Sequence, residues 1–165
     1  MLIAIYQSLM SEGLKRYEGK ELLPLESHNS ADLRSGRIGD IDIVNNDGSS
    51  FEAVEVKLGI AITAQIAERA KEKILRSSAS RYYILSTAPV GESEKPRVDE
   101  IIRQVANVHG CQLIVNGIVP TLKYYLRLLD STVSFLAIYA SLVFSDESIK
   151  YEHRERWNEL VSGRE

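Results

Sequence analysis

Cysteine is almost missing from this chain. Cys111 stands alone, which excludes an intramolecular disulfide and fits a reducing compartment. Histidine is scarce too, with three residues, and His109 beside Cys111 has no second His/Cys pair at ligand spacing, which argues against a structural zinc site. No hydrophobic run is long enough to cross a bilayer: Val133 to Phe144 covers twelve residues, contains serines and follows Arg127 and Asp130, whereas a span needs about 20 apolar residues. No repeat, low-complexity tract, linker or signal-like segment interrupts the sequence. One domain over residues 1–165 is therefore expected, an α/β core over 1–118 and a helical extension over 119–165, in a cytoplasmic, prokaryotic setting. Positive charge is not in excess either, the net charge being −3, which speaks against a protein that coats nucleic acid non-specifically. The 44% apolar content is enough for a real core.

What is present is concentrated in two short stretches, Gly39-Asp40-Ile41-Asp42-Ile43-Val44 and Phe51-Glu52-Ala53-Val54-Glu55-Val56-Lys57. Both alternate with the period of two expected of strands, and Asn45 to Ser50 between them is turn chemistry, so they read as a β-hairpin. Successive strand side chains point to opposite faces, which puts Asp40 and Asp42 on one face of their strand and Glu55 and Lys57 on one face of theirs. Carboxylates converging beside an ammonium group need a counter-charge. Clustered carboxylate oxygens are hard ligands of the kind that hold Mg²⁺ beside a phosphate, and Mg²⁺ so held activates water and neutralises charge developing on a phosphoryl group. Acid-x-Lys triplets also occur as harmless ion pairs on exposed sheet faces, so the triplet alone does not identify a site.

Asp42, twelve intervening residues and then Glu55-Val56-Lys57 resembles the signature of the PD-(D/E)XK nuclease superfamily, the restriction-endonuclease-like fold. Ile41 stands where the signature has its proline. The resemblance implies an α/β protein with an αβββαβ core, a mixed central sheet flanked by helices. It implies Asp42 and Glu55 as metal ligands, Lys57 as the cation that positions the attacking water, and Mg²⁺ as cofactor, with Mn²⁺ as a substitute. Asp40, on the same face, is an alternative or auxiliary ligand.

The rest of the chain is read around this hairpin. Residues 2–17 form a helix, and Leu22 to Glu26 supply a first strand. Residues 60–78 place Ile62, Ile66, Ala70 and Ile74 at helical spacing. Arg81 to Thr87 is a strand, Pro96 to His109 a helix, and Cys111 to Val115 a further strand. Residues 120–145 read as one long helix, buried within the chain or serving as an oligomer interface, and 146–161 as a shorter helix anchored by Trp157. Glu12, the nearest analogue of an acid that family members carry on the first helix, reads as a surface residue.

Candidate contacts to nucleic acid are Arg34 and Arg37, in the polar segment that enters the Asp42 strand, and Gln65, near the start of the helix that follows Lys57. Basic residues otherwise cluster at Lys15, Arg16 and Lys20 and at Arg69, Lys71, Lys73, Arg76 and Arg81. The expectation from the resemblance is a Mg²⁺-dependent endonuclease acting on double-stranded DNA, similar to type II restriction enzymes and working as a homodimer, with room for a specificity region or partner chain outside this sequence. A structure- or end-specific repair or recombination nuclease of the same fold is one alternative. A non-catalytic nucleic-acid-binding domain is another.

Overall fold

The computed structural model describes residues 1–24 and 37–163. They form a five-stranded mixed sheet and six helices in the order α1 (Leu2–Ser11), β1 (Lys20–Leu22), β2 (Ile41–Asn45), β3 (Ser50–Lys57), α2 (Ala64–Leu75), β4 (Arg81–Ser86), α3 (Lys95–His109), β5 (Gln112–Gly117), α4 (Ile118–Leu126), α5 (Thr132–Ser145) and α6 (Tyr151–Ser162). The strands lie in sequence order across the sheet. The first three pair antiparallel, whereas β4 and β5 join in parallel, each after a helical crossover through α2 or α3.

The hairpin turn follows from its residues. Asn45 and Ser49 close it through a backbone bond of 2.9 Å, and Gly48 takes a φ of 79°, which glycine adopts without steric cost. A bulge between Ile43 and Val44 shifts the register, so Asp42 faces Ala53 and Ile41 faces Val54. Each sheet face then buries its own core. Ala53, Tyr82, Ile84 and Leu113 pack with Ala67, Ala70 and Ile74 of α2 and Val98, Ile101 and Val105 of α3. Ile41, Ile43, Val54, Tyr83 and Leu85 pack on the other face with Ile5, Tyr6 and Leu9 of α1, Tyr125 of α4 and Phe135 of α5. The carboxylates of interest are on the α2 side.

Several element boundaries differ from the sequence expectation. The first helix stops at Ser11 because Gly13 turns left-handed at φ 70°, and Lys15–Tyr17 form only a 3-10 turn. The first strand is Lys20–Leu22, and Leu25 and Glu26 lie outside the described residues. The expected helix over 120–145 is two helices. Ser131 caps the second by accepting the Val133 amide at 3.2 Å, and the Asp130 amide is taken by Glu12 Oε2 at 2.9 Å. Glu12 thus ties the end of α1 to the α4–α5 connection.

Nor is α5 buried as an intramolecular helix would be. It contains no charged residue, yet only Phe135 and Val143 are buried, and Val133, at 72% exposure, and Phe144, at 46%, face outward. Trp157 does anchor α6: its ring meets Tyr139 of α5 edge-on at 5.0 Å, and Arg154 donates to the Val143 carbonyl at 3.2 Å. No helix among the described residues is long and apolar enough to cross a membrane.

Candidate active site

The regular β2–β3 pairing ends at the start of β2, with Ile41 opposite Val54. Gly39 lies so close to β3 that a Cβ there would sit 2.8 Å from the Val54 carbonyl oxygen, so only glycine permits the approach. The ladder continues one residue past β2, with the Asp40 amide donating to Val54 O at 2.8 Å. Beyond that, a side chain replaces backbone: Asp40 Oδ2 accepts the Val56 amide at 2.7 Å. Asp40, exposed, therefore serves the β3 amide that β2 no longer reaches.

Asp42 sits one step deeper and is buried, at 3% exposure. Its oxygens accept two long bonds, from the Ile38 amide at 3.4 Å and the Gly39 amide at 3.3 Å. Burial pushes its carboxyl above the ordinary aspartate range, against the opposing pull of those amides and of Arg37 and Lys73. It is a desolvated carboxylate on which Arg37 and Lys73 act electrostatically.

Glu55 is the reverse case. Lys57 Nζ is 2.6 Å from its Oε1, Lys73 Nζ is 3.2 Å from its Oε2, and the Tyr82 hydroxyl is 2.7 Å from that same Oε2. Burial pushes its carboxyl up, but Lys57, Tyr82 and Lys73 outweigh burial and hold it below the ordinary glutamate range. Tyr82 also lies 2.7 Å from the Ile38 carbonyl. One phenolic proton serves two acceptors. Burial, then Glu55, with Asp42 and Asp40 adding to them, drives the Tyr82 pKa up and keeps the phenol neutral. Of the three acids only Glu55 bonds the hydroxyl; Asp42 and Asp40 act on it through their charge.

Of the residues expected from the sequence, Asp42, Glu55, Lys57 and Asp40 come to one sheet face, and Arg37 acts electrostatically on Asp42. Gln65 is exposed in the first turn of α2, about 12 Å along the helix axis from Lys73. Arg34 lies outside the described residues. Two participants, Tyr82 and Lys73, escape the sequence reading. Tyr82 joins only because the parallel β3–β4 register sets it beside Ala53. Lys73 joins because α2 buries Ala70 and Ile74, which flank it on the helix.

The basic clusters largely disperse. Arg81 Nη1 is 3.8 Å from Glu52 Oε2, and Arg16 acts on Tyr17 and Glu52, both on the opposite face of the sheet. Lys71 bonds Gln104 at 2.6 Å, and Lys20 lies 4.7 Å over the Phe51 ring. Among the described residues no group of three or more acidic, histidine or cysteine side chains is arranged around a common metal position. A groove of about 390 Å³ lies elsewhere, against α5 and α6 and lined by Tyr139, Val143, His153 and Trp157. It holds no acid. Comparison with protein-family models and with curated proteins finds no match to this chain.

Proposed function

We propose that this protein is a metal-dependent nuclease of the restriction-endonuclease-like kind, hydrolysing phosphodiester bonds in duplex DNA at Asp42, Glu55 and Lys57. The observation that carries the reading is the placement of a buried Asp42 beside Glu55 and Lys57 on one face of the β2–β3 pair. The order α1-β1-β2-β3-α2-β4, with an antiparallel trio and a parallel fourth strand, supports the αβββαβ core expected from the resemblance.

The donor set fits Mg²⁺. Two carboxylates offer hard oxygens, and Mg²⁺ keeps several waters and takes further oxygens from substrate phosphate, so a third acid is not required. Asp42 and Glu55 would hold the ion, and when bound it lowers the pKa of water and stabilises charge on the phosphoryl oxygens. The chain's own residues do the rest. Lys57 supplies a fixed positive charge at the rim of the site, able to orient the attacking water and stabilise the pentacovalent charge. Asp40 holds the β3 backbone through the Val56 amide. Tyr82 fixes the Glu55 carboxylate and the Ile38 carbonyl relative to each other.

One site cuts one strand, so a homodimer is the simplest way to sever a duplex. The charge-free outer face of α5 supports a second copy as partner, since exposed Val133, Leu136 and Phe144 form a surface that association would bury.

The test is cleavage of supercoiled plasmid and linear duplex with Mg²⁺ or EDTA, comparing wild type with Asp42→Ala and Lys57→Ala. Discrete Mg²⁺-dependent products, lost by at least about 100-fold in both variants, are expected, because each removes a group acting on the reacting centre. End-dependent degradation would move the reading to a repair nuclease. Inactivity of correctly folded wild type on all DNA would overturn it.

A further inference from the structure

Two ammonium groups, not one, hold Glu55. Lys57 Nζ is 2.6 Å from Oε1, and Lys73 Nζ is 3.2 Å from Oε2, where the Tyr82 hydroxyl also sits at 2.7 Å. Both carboxylate oxygens are already occupied. Asp42 feels Lys73 as well, so this one lysine faces both acids of the candidate metal site. Asp40, Asp42 and Glu55 bring three acids and Arg37, Lys57 and Lys73 three cations, so formal charges balance before any divalent ion enters.

The two lysines are not equivalent. Lys57 belongs to β3, the strand that carries Glu55, and its side chain is 27% exposed. Lys73 comes from α2, is 44% exposed, and stands one turn from the helix end on a long single-bonded stem. Its backbone is fixed by Ala70 and Ile74, both fully buried, while its head is free to swing. Its charge is also near the C-terminal end of the helix, where a cation is favoured.

We propose that Lys73 is a resident counter-ion that occupies the cation position on Glu55 and is displaced when a divalent metal binds, which frees its ammonium group for a substrate phosphate. This rests on the reading of Asp42 and Glu55 as the metal-holding pair. Adding two positive charges between these carboxylates repels both lysines, and the more exposed one, on the separate element, moves at the lower cost. Tyr82 stays as a neutral donor to Glu55 and preserves the carboxylate's orientation through the exchange. Lys73 thereby links metal loading to phosphate contact: before loading it screens the acids, and after loading it adds positive charge where a nucleic-acid backbone would lie.

The test is calorimetric titration of the full chain with Mn²⁺ alone, without DNA, for wild type, Asp42→Ala, Lys57→Ala, Lys73→Ala and Lys73→Arg. The expected result is about twofold to fivefold tighter Mn²⁺ binding by Lys73→Ala, since a competing exposed ion pair is removed, with binding abolished in Asp42→Ala. Lys73→Arg should bind close to the wild-type value. A merely structural role for Lys73 would weaken the site on truncation, never tighten it. In duplex binding at saturating Ca²⁺, Lys73→Ala should then bind more weakly than wild type. Unchanged or weaker Mn²⁺ binding by Lys73→Ala, with Asp42→Ala still abolishing it, would overturn the counter-ion role and leave the nuclease reading standing. Identical titrations of wild type and Asp42→Ala would overturn both.

Discussion

Asp40 accepts the Val56 amide at 2.7 Å, past the end of the regular β2–β3 pairing. This contact keeps a donor of β3 from being stranded, and a stranded amide is costly. Asp40 shares the sheet face of Asp42 and Glu55, so it supports the backbone there before any role as a ligand is considered.

Asp40→Ala should therefore speed hydrogen exchange at Val56 and cost about 1 kcal/mol of stability. Cleavage should fall but persist, in contrast to Asp42→Ala. Asp40→Asn keeps an acceptor oxygen and should restore most of the Val56 protection. Loss of cleavage in Asp40→Asn as complete as in Asp42→Ala, with Val56 still protected, would make Asp40 a metal ligand.

The hairpin was legible because alternation, turn residues and burial agree there: Ile41, Ile43 and Val54 point one way and Asp42, Ala53 and Glu55 the other. The break at Arg127 to Ser131 was not read, although Ser131 followed by Thr132 is capping chemistry, because the apolar spacing on either side happens to continue in phase. Tyr82 and Lys73 could not be found by spacing, since their relation to Glu55 depends on the β3–β4 register and on the packing depth of α2. Glu52 carried the same problem. Nothing in its spacing marks it out, yet it is buried at 1% exposure beneath α1.

Tyr82→Phe isolates the shared hydroxyl. The ring stays, so the core against α2 is preserved, but Glu55 Oε2 keeps only Lys73 and the Ile38 carbonyl loses its donor. A hydrogen bond to a charged, partly buried acceptor contributes about 1.5–3 kcal/mol. Urea unfolding should show a loss toward the lower end, because Lys73 remains. Mn²⁺ binding should weaken, since Glu55 gains rotational freedom. No change in either measurement would mean that the hydroxyl does not orient the carboxylate.

On the far face of the sheet, Glu52 Oε1 accepts the Tyr6 hydroxyl at 2.8 Å and the Tyr17 hydroxyl at 3.1 Å, while Oε2 has no hydrogen bond and only Arg81, 3.8 Å away, for a cation. Arg16, Tyr83 and Tyr125 complete the surroundings. Burial raises the Glu52 pKa above the ordinary glutamate range, against the pull of both tyrosine bonds and of Arg16 and Arg81. For an acid whose folded pKa is raised, the native state binds the proton more readily than the unfolded chain, so stability is greatest below the unfolded value and falls as pH rises through the folded one. Glu52→Gln keeps an acceptor for Tyr6 and Tyr17 without the charge. As pH rises above the ordinary glutamate range, wild type should lose stability relative to Glu52→Gln. Urea unfolding of both proteins as pH is raised checks it. A gap that widens in favour of wild type with rising pH would show that the ionised carboxylate, held by Arg16 and Arg81, is the stabilising form.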